Sequence, residues 1–416
     1  VTLYFLSLYG VALKKQISDS YNEVNYRIMI ALEKMRNTAK AYKTDKLHIG
    51  VLGSHSALAM GMAAKAFGAK TLLVVEKGRD ALYTREHSHL YDHVIIVEKF
   101  RDILKPEIQS ELLNYHTVWI PHRSFSVYVG VDGIEEEFQI PVYGNRRMLR
   151  TEDRNTLRSQ YYFLEKAVIR FPKQFKKPEE IDRVVLVKVQ RADKPLERAF
   201  FYANSPEQYY KQAELYKAQG FIDDEALKKA RIEEYVFGSR VNANWQAYAL
   251  KDIFGDLDLV GFSDRRQVNL QGFLQLPAQQ QLQLNIPVTN EEVGHYGITM
   301  RESLHPLFWN AARKFIETVK HEEPPGMVGS FGLQGAVAYA QDDPRKLEFV
   351  VFDVSPRIPG DPAIGPTSPE MRNLTIKFQE LLMSKYKGRQ INDPLDLVVL
   401  EILEAADRGR LSEVVT

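Results

Sequence analysis

Two segments carry side chains suited to handling a charged ligand. In Leu347-Glu-Phe-Val-Val-Phe-Asp-Val-Ser-Pro-Arg357 an apolar strand delivers a carboxylate, Asp353, and then a cation, Arg357. In Arg231-Ile-Glu-Glu-Tyr-Val-Phe-Gly238 a strand runs into a linker whose backbone can pair with an adenine ring. Gln334 lies in the strand before that of Asp353, so antiparallel neighbours would aim an amide oxygen and a carboxylate at one cation. Mg²⁺ takes oxygen ligands, commonly one or two carboxylates completed by phosphate oxygens and water. Lys188 tips the apolar strand Val184-Val-Leu-Val187, where an ammonium can meet phosphate. Together these residues describe a chain that grips ATP between two layers and holds Mg²⁺ or Mn²⁺ over its phosphates. Taken singly they have plainer readings: Asp353 as the partner of Arg357, Gln334 as a strand-to-strand hydrogen bond, Lys188 as a solvated strand end.

A second constellation lies nearer the N-terminus. Gly53-Ser-His-Ser56 sits where a buried strand hands over to a helix, whose unpaired N–H groups suit a phosphate or carboxylate. Pro121-His-Arg-Ser-Phe125 follows a strand that emerges on the same sheet edge. His55, His122, Arg123 and Ser124 could therefore share an anion pocket at the carboxyl ends of parallel strands. The plainer reading makes Ser54 or Ser56 an N-cap and His55 a surface residue. His87, His89 and His93 have metal-like spacing, but only Asp92 stands beside them. The stretch Gln190–Arg198 carries Arg191, Lys194 and Arg198 and no glycine, so it reads as a phosphate-neutralising lid or as a solvated hairpin.

These residues need elements to position them. A chain of 416 residues exceeds one compact core and implies two or three domains. Lys+Arg 55 against Asp+Glu 54 leave a net charge of +1, so no global field recruits nucleic acid or a membrane surface. Cysteine is absent, which removes disulfides, thiolate nucleophiles and Cys-based zinc sites and points to the cytoplasm. The apolar run Val1–Leu13 falls short of the roughly 20 residues that span a bilayer. Residues 1–45 read as an extension, helical from about Ser18 to Tyr42, that packs on the body or on a partner through Ile28, Ile30, Leu32 and Met35.

From 46 to 150, short apolar strands alternate with helices, which predicts an α/β domain with a doubly wound parallel sheet. From 151 to 416, paired strands with helices to one side predict an α+β region of two subdomains. It opens with a helix over Thr151–Val168 that has Thr151 as N-cap. In Gln275–Gln283, alternation with Leu274, Leu276, Leu282 and Leu284 predicts a half-buried edge.

The assembled motifs resemble a known family, the archaeal formate-dependent 5-formaminoimidazole-4-carboxamide ribonucleotide synthetases of the ATP-grasp superfamily. The likeness rests on Ile49-Gly-Val-Leu-Gly-Ser-His-Ser-Ala-Leu58, Ile120-Pro-His-Arg-Ser-Phe125, Glu233-Glu-Tyr-Val-Phe-Gly238, Arg301-Glu-Ser303 and Val351-Phe-Asp-Val-Ser-Pro-Arg357. It implies α+β ATP-grasp domains after the first α/β unit. It implies formylation of an aminoimidazole carboxamide ribonucleotide with formate and ATP, through formyl phosphate, in purine (IMP) biosynthesis. Carried onto this chain, it places substrate binding on His55, Ser124 and His295, and metal binding on Gln334 and Asp353. The ATP-binding acid falls on Glu233 or Glu234, with Glu234 favoured; beside these residues, Lys188 is read as a further nucleotide contact and Arg357 as the catalytic residue. The chain departs from the family pattern at Gln190–Arg198, at Arg123 (a family glycine), at Asp353 (a family glutamate) and at Pro359-Gly-Asp-Pro-Ala363. Two other readings stay open: a divergent ligase for another acid or amine, and a nucleotide-binding regulatory paralogue without turnover. A homo-oligomer is expected.

Overall fold

Short runs rich in β-branched residues and leucine make the first sheet and bury most of both its faces. The structure is a computed structural model, and it describes residues 32–153, 156–190, 198–284, 292–359 and 368–416. Strands β1 (His48–Leu52), β2 (Lys70–Glu76), β3 (His93–Val97) and β4 (Thr117–Trp119) form a parallel sheet in the order β3-β2-β1-β4. Ile49, Val51, Leu73 and Val75 join the core on one face, with Met60 of helix α1 (Ala57–Ala66). Leu52, Leu72, Val74 and Trp119 join the core on the other, with Phe125 of α2 (Arg123–Val129). Burial of both faces is what a doubly wound sheet requires. Of the N-terminal extension, residues 32–40 are helical, and Met35 and Ala39 are buried against the body. Ile28 and Ile30 lie outside the described residues.

Two antiparallel sheets follow. The small one is ordered β5-β8-β6-β7, from β5 (Gln174–Phe175), β6 (Val185–Gln190), β7 (Arg198–Ala203) and β8 (Arg231–Glu234). The large one is ordered β11-β10-β9-β12-β13, from β9 (Gly238–Ala247), β10 (Leu257–Gln267), β11 (Glu292–Ile298), β12 (Gly329–Tyr339) and β13 (Leu347–Ser355). Residues 235–237 link β8 directly to β9. Val241, Ala243 and Trp245 turn one face of the large sheet into the core under helix α4 (His305–Glu322), which brings Phe308, Ala312, Phe315 and Val319. Among the described residues no helix is long and apolar enough to cross a membrane.

Two sequence expectations are corrected. The helix expected from Thr151 starts only at Gln160, as α3 (Gln160–Lys166), because Thr151 falls inside the 3₁₀ turn Arg146–Glu152, where its hydroxyl donates to the Met148 carbonyl. The glutamine-rich stretch is not an edge. Val268–Leu274 and Ala278–Gln283 are helical, and Leu282 is 87% exposed. Glutamine is a good helix former, and Pro277 stands where a helix is entered.

Helix α5 (Pro394–Asp407) is apolar nearly all round and lies in the core that also holds α1. Of its buried carboxylates, Asp396, Glu401 and Glu404, it is Glu401 that lies at the junction of the units. Glu401 accepts from the Tyr143 hydroxyl at 2.6 Å and from the amides of Ala249 at 2.7 Å and Leu250 at 3.0 Å. Burial outweighs these donors and raises its pKa to about 7. An acid whose folded-state pKa is raised binds its proton more tightly folded than unfolded. Stability is therefore highest below the unfolded value and falls as pH rises towards 7, by on the order of 3 kcal/mol for a shift of this size. Glu401→Gln should flatten this fall, so the stability difference between variant and parent should change in the variant's favour from pH 5 to pH 7. Urea unfolding at the two pH values measures it, and parallel profiles would remove the assignment.

Candidate functional site

Alternation along β9 places Asn242, Asn244 and Gln246 on the face of the large sheet opposite the core. The register continues that face across the sheet. Ser263 of β10 pairs with Asn242, Asn242 with Gln334 of β12, and Gln334 with Asp353 of β13, making one cross-strand row. A bulge follows Gln334, and a Cβ at Gly335 would come within 2.2 Å of the Val350 carbonyl oxygen. The glycine thus lets β13 approach at the position where the bulge re-aims the strand, a device common beside functional sites.

Gln334 and Asp353 are side by side, and a cation already reaches both. The Arg265 guanidinium donates to Gln334 Oε1 and lies 3.8 Å from Asp353 Oδ2. It also stands 3.0 Å from Glu292 Oε2. Arg265 is opposite His295 in the β10–β11 register, and His295 Nε2 lies 3.4 Å from Glu292 Oε1. The donor set fits a hard divalent ion: two oxygen ligands that attract positive charge, with room for the rest of the shell to come from phosphate and water. Among the described residues no group of three or more His, Cys, Asp or Glu side chains could hold a metal. The His87 and His89 rings are 6.1 Å apart, while His93 packs against His48 and Tyr115.

On the small sheet Lys188 forms a buried ion pair with Glu233 at 2.5 Å, and Tyr161 of α3 donates its hydroxyl to the same carboxylate. Glu234 goes the other way, since successive residues of a strand point to opposite faces. It accepts from Arg170 at 2.9 Å, the Lys173 amide at 3.0 Å and Gln341 at 2.7 Å, beside a cleft of about 760 Å³. Burial by itself would raise its pKa, but the Lys173 amide, Arg170 and Arg183 outweigh it and hold the carboxyl below its usual range. The structure therefore brings Glu233 to Lys188 and turns Glu234 towards Arg170 and the cleft. The loop with Arg191 and Lys194 lies outside the described residues.

The strand ends of the first sheet converge as a third wall. His55 follows β1 with a left-handed backbone, φ 51°, a conformation that costs a non-glycine residue on the order of 1 kcal/mol and gathers at functional sites. Its ring stacks on His122 at 5.4 Å and contacts Ser56 Oγ at 2.7 Å. Ser124 donates to Ser54 at 2.9 Å, so neither Ser54 nor Ser56 is spent on capping α1. His122 is fully buried and donates from Nε2 to the Leu52 carbonyl, leaving a buried Nδ1 without a hydrogen-bond partner. His55 keeps an open face to solvent, yet its pKa is held well down. The surrounding protein lowers it first, and the guanidinium charges of Arg357 and Arg123 push it the same way. The direction follows from those neighbours alone, and the ring is neutral at physiological pH.

Arg357 does not pair with Asp353. It donates to Glu152 Oε1 at 2.6 Å and to the Ile358 carbonyl, while Arg123 donates to Glu152 Oε2 at 3.1 Å. Glu152, Arg265, Asn242 and Tyr161 escaped the sequence reading. Only Asn242 left a signal, in the alternation Asn242-Ala-Asn-Trp-Gln246.

A parallel α/β unit, then a small and a large antiparallel sheet joined by a short linker, with a lysine on one and an amide–carboxylate pair on the other, defines an ATP-grasp protein. Family models described as a protein of unknown function (DUF1246) and a domain of unknown function (DUF1297) match residues 49–175 and 208–416. The 5-formaminoimidazole-4-carboxamide-1-(beta)-D-ribofuranosyl 5'-monophosphate synthetase of Methanocaldococcus jannaschii is 36% identical over 80% of this chain and 88% of its own. Its Methanopyrus kandleri counterpart is 34% identical over 93% and 100%. Among solved structures, the IMP biosynthesis protein PurP from Thermococcus kodakaraensis superposes with a TM-score of 0.61 at 24% identity, over 88% of this chain and 100% of that one. An ADP complex of PurK, N5-carboxyaminoimidazole ribonucleotide synthetase, gives 0.50 at 13% identity, over 77% and 71%. The chain belongs to the 5-formaminoimidazole-4-carboxamide ribonucleotide synthetase family.

Glu152 lies between the guanidiniums of Arg123 and Arg357, and its side chain and that of Arg357 are 9% and 8% exposed. Glu152→Ala should cost about 3 kcal/mol, the price of stranding a buried charge. Arg123→Ala, whose side chain is 42% exposed, should cost under about 1 kcal/mol. Chemical denaturation of both variants checks the contrast; equal losses would mean that Arg357 does not depend on Glu152.

Proposed function

We propose that this protein is an ATP-dependent carbon–nitrogen ligase that formylates an aminoimidazole carboxamide ribonucleotide with formate, in purine biosynthesis. One observation carries the reading beyond family membership. The Gln334–Asp353 pair and His295 are bridged on one sheet face by Arg265, which reaches Gln334 and Asp353 directly and His295 through Glu292. Phosphate-side and acceptor-side groups therefore share a continuous surface.

Formate oxygen attacks the γ-phosphorus of ATP, forming formyl phosphate and releasing ADP. The ribonucleotide amine then attacks the formyl carbon; the C–N bond forms, the C–O bond to phosphate breaks, and the departing phosphate carries off the amine proton. Catalysis of this kind is mostly positioning and charge stabilisation, which suits a site without a nucleophile. Lys188 meets the nucleotide phosphates, with Glu233 and Tyr161 fixing its ammonium. Gln334 and Asp353 would hold Mg²⁺, which supplies charge neutralisation between the phosphates. His55, neutral, and Ser124 hold the ribonucleotide by hydrogen bonds, His295 closes the same pocket, and Arg357 lends positive charge beside it. Any contact of residue 234 with adenine comes from its backbone, because its side chain is engaged elsewhere.

The decisive assay is ADP release with formate and the aminoimidazole ribonucleotide, each omitted in turn. Release that needs both supports this reading, and release with a different acid alone points to a divergent ligase. Asp353→Asn should abolish turnover with the melting temperature nearly intact; unchanged activity would remove the metal assignment. His55→Ala should raise KM for the ribonucleotide roughly ten- to a hundredfold, the range for loss of one strong hydrogen bond, with little change for ATP. An equal effect on both substrates would count against it.

A further inference from the structure

We infer that Arg265 is a built-in occupant of the cation position, one that must swing aside when a divalent ion arrives with nucleotide, and that its swing links the two halves of the site. The inference rests on the nucleotide-site reading above. Arg265 reaches two groups at once. On one side its guanidinium donates to Gln334 Oε1 and approaches Asp353 Oδ2 at 3.8 Å. On the other its Nε is 3.0 Å from Glu292 Oε2, whose second oxygen lies 3.4 Å from His295 Nε2. Lengthwise, one side chain spans from the Gln334–Asp353 pair to the His295 edge of the sheet.

A guanidinium and a divalent ion cannot share the same two oxygens, since like charges a few ångströms apart repel strongly wherever water is thin. Arg265 therefore competes with the ion. It has somewhere to go, because Glu292 is already a partner and nucleotide phosphate offers another. Two consequences follow. Without nucleotide the protein takes up divalent ions poorly, so the ion enters together with ATP. When Arg265 moves towards Glu292 it also competes with His295 for that carboxylate, and the His295 ring is released towards the acceptor pocket. Arg265 is thus a positioning residue that makes nucleotide loading precede completion of the acceptor site.

The test uses Mn²⁺ as the probe on the full chain, with protein-bound ion separated from free ion and free Mn²⁺–ATP by rapid ultrafiltration and quantified by electron paramagnetic resonance after release in acid. Without nucleotide, Arg265→Gln should bind Mn²⁺ at least tenfold more tightly than the parent, while Arg265→Lys, which keeps the charge, stays near the parent. With ATP present, the parent and both variants take up Mn²⁺. Equal affinity of parent and Arg265→Gln without nucleotide overturns the inference, as does equal tightening in both variants, which would assign the effect to packing. If the parent takes up no Mn²⁺ even with ATP, the nucleotide-site reading itself fails, and that outcome is distinct. Glu292→Gln provides a second arm should Arg265→Gln not fold. Without its retreat Arg265 stays on Gln334 and Asp353, so uptake of Mn²⁺ with ATP should weaken several-fold; unchanged uptake also overturns the link.

Discussion

The large sheet buries polar groups on the face that does not enter the core, and buried polar groups need partners. At one end the partners are built in. Ser330 donates to Gln246 at 2.8 Å, Gln246 to the Tyr143 hydroxyl at 2.9 Å, and Tyr143 to Glu401 at 2.6 Å. That relay passes from the sheet through the edge of the first α/β unit to the central helix, so satisfying the sheet also fixes how the units meet. Towards the other end of the same face, Gln334 and Asp353 are met by the Arg265 guanidinium, and the Gln334 amide donates to the Ser355 hydroxyl. One constraint, answered in two ways along one surface, separates scaffold from site.

The first sheet was legible because its strands are short, continuously apolar and spaced by helices, a pattern with few alternatives. The neighbouring placement of Gln334 and Asp353 was also legible, since consecutive strands of an α+β region commonly pair. What could not be read was parity and register. Glu233 and Glu234 differ by one position, and only the pairing of β8 with β6 decides which faces Lys188. The meeting of Arg265 with Gln334 depends on three strands in register across bulges, which no local pattern encodes. Glu152 and Arg357 are 205 residues apart and meet only because the first unit and β13 share an edge. In the glutamine-rich stretch, a brief alternation lost to the helix preference of unbranched side chains.

Charge is handled differently around His55 and around Lys188. Beside His55, two arginines share one glutamate, which leaves net positive charge next to a neutral imidazole. Arg123, where the family pattern has glycine, is thereby tied back instead of projecting freely into the pocket. On the small sheet, Lys188 is matched by Glu233, so its ammonium arrives oriented but with its charge largely compensated. The first arrangement favours an anionic ligand in general; the second favours one geometry.

The backbone of Thr416 exchanges hydrogen bonds with Val142 at 3.0 and 2.8 Å, and the Arg146 guanidinium donates to the Thr416 carbonyl across 270 residues of sequence. Helix α5, from the same end of the chain, lies in the core beneath β1. The first α/β unit therefore takes its last edge contacts and part of its floor from segments that leave the ribosome hundreds of residues later. During synthesis it must wait with apolar surface uncovered, and its contacts are of high order, which slows closure and exposes the chain to misassembly. A nascent chain of this protein keeps that surface exposed until these later segments emerge.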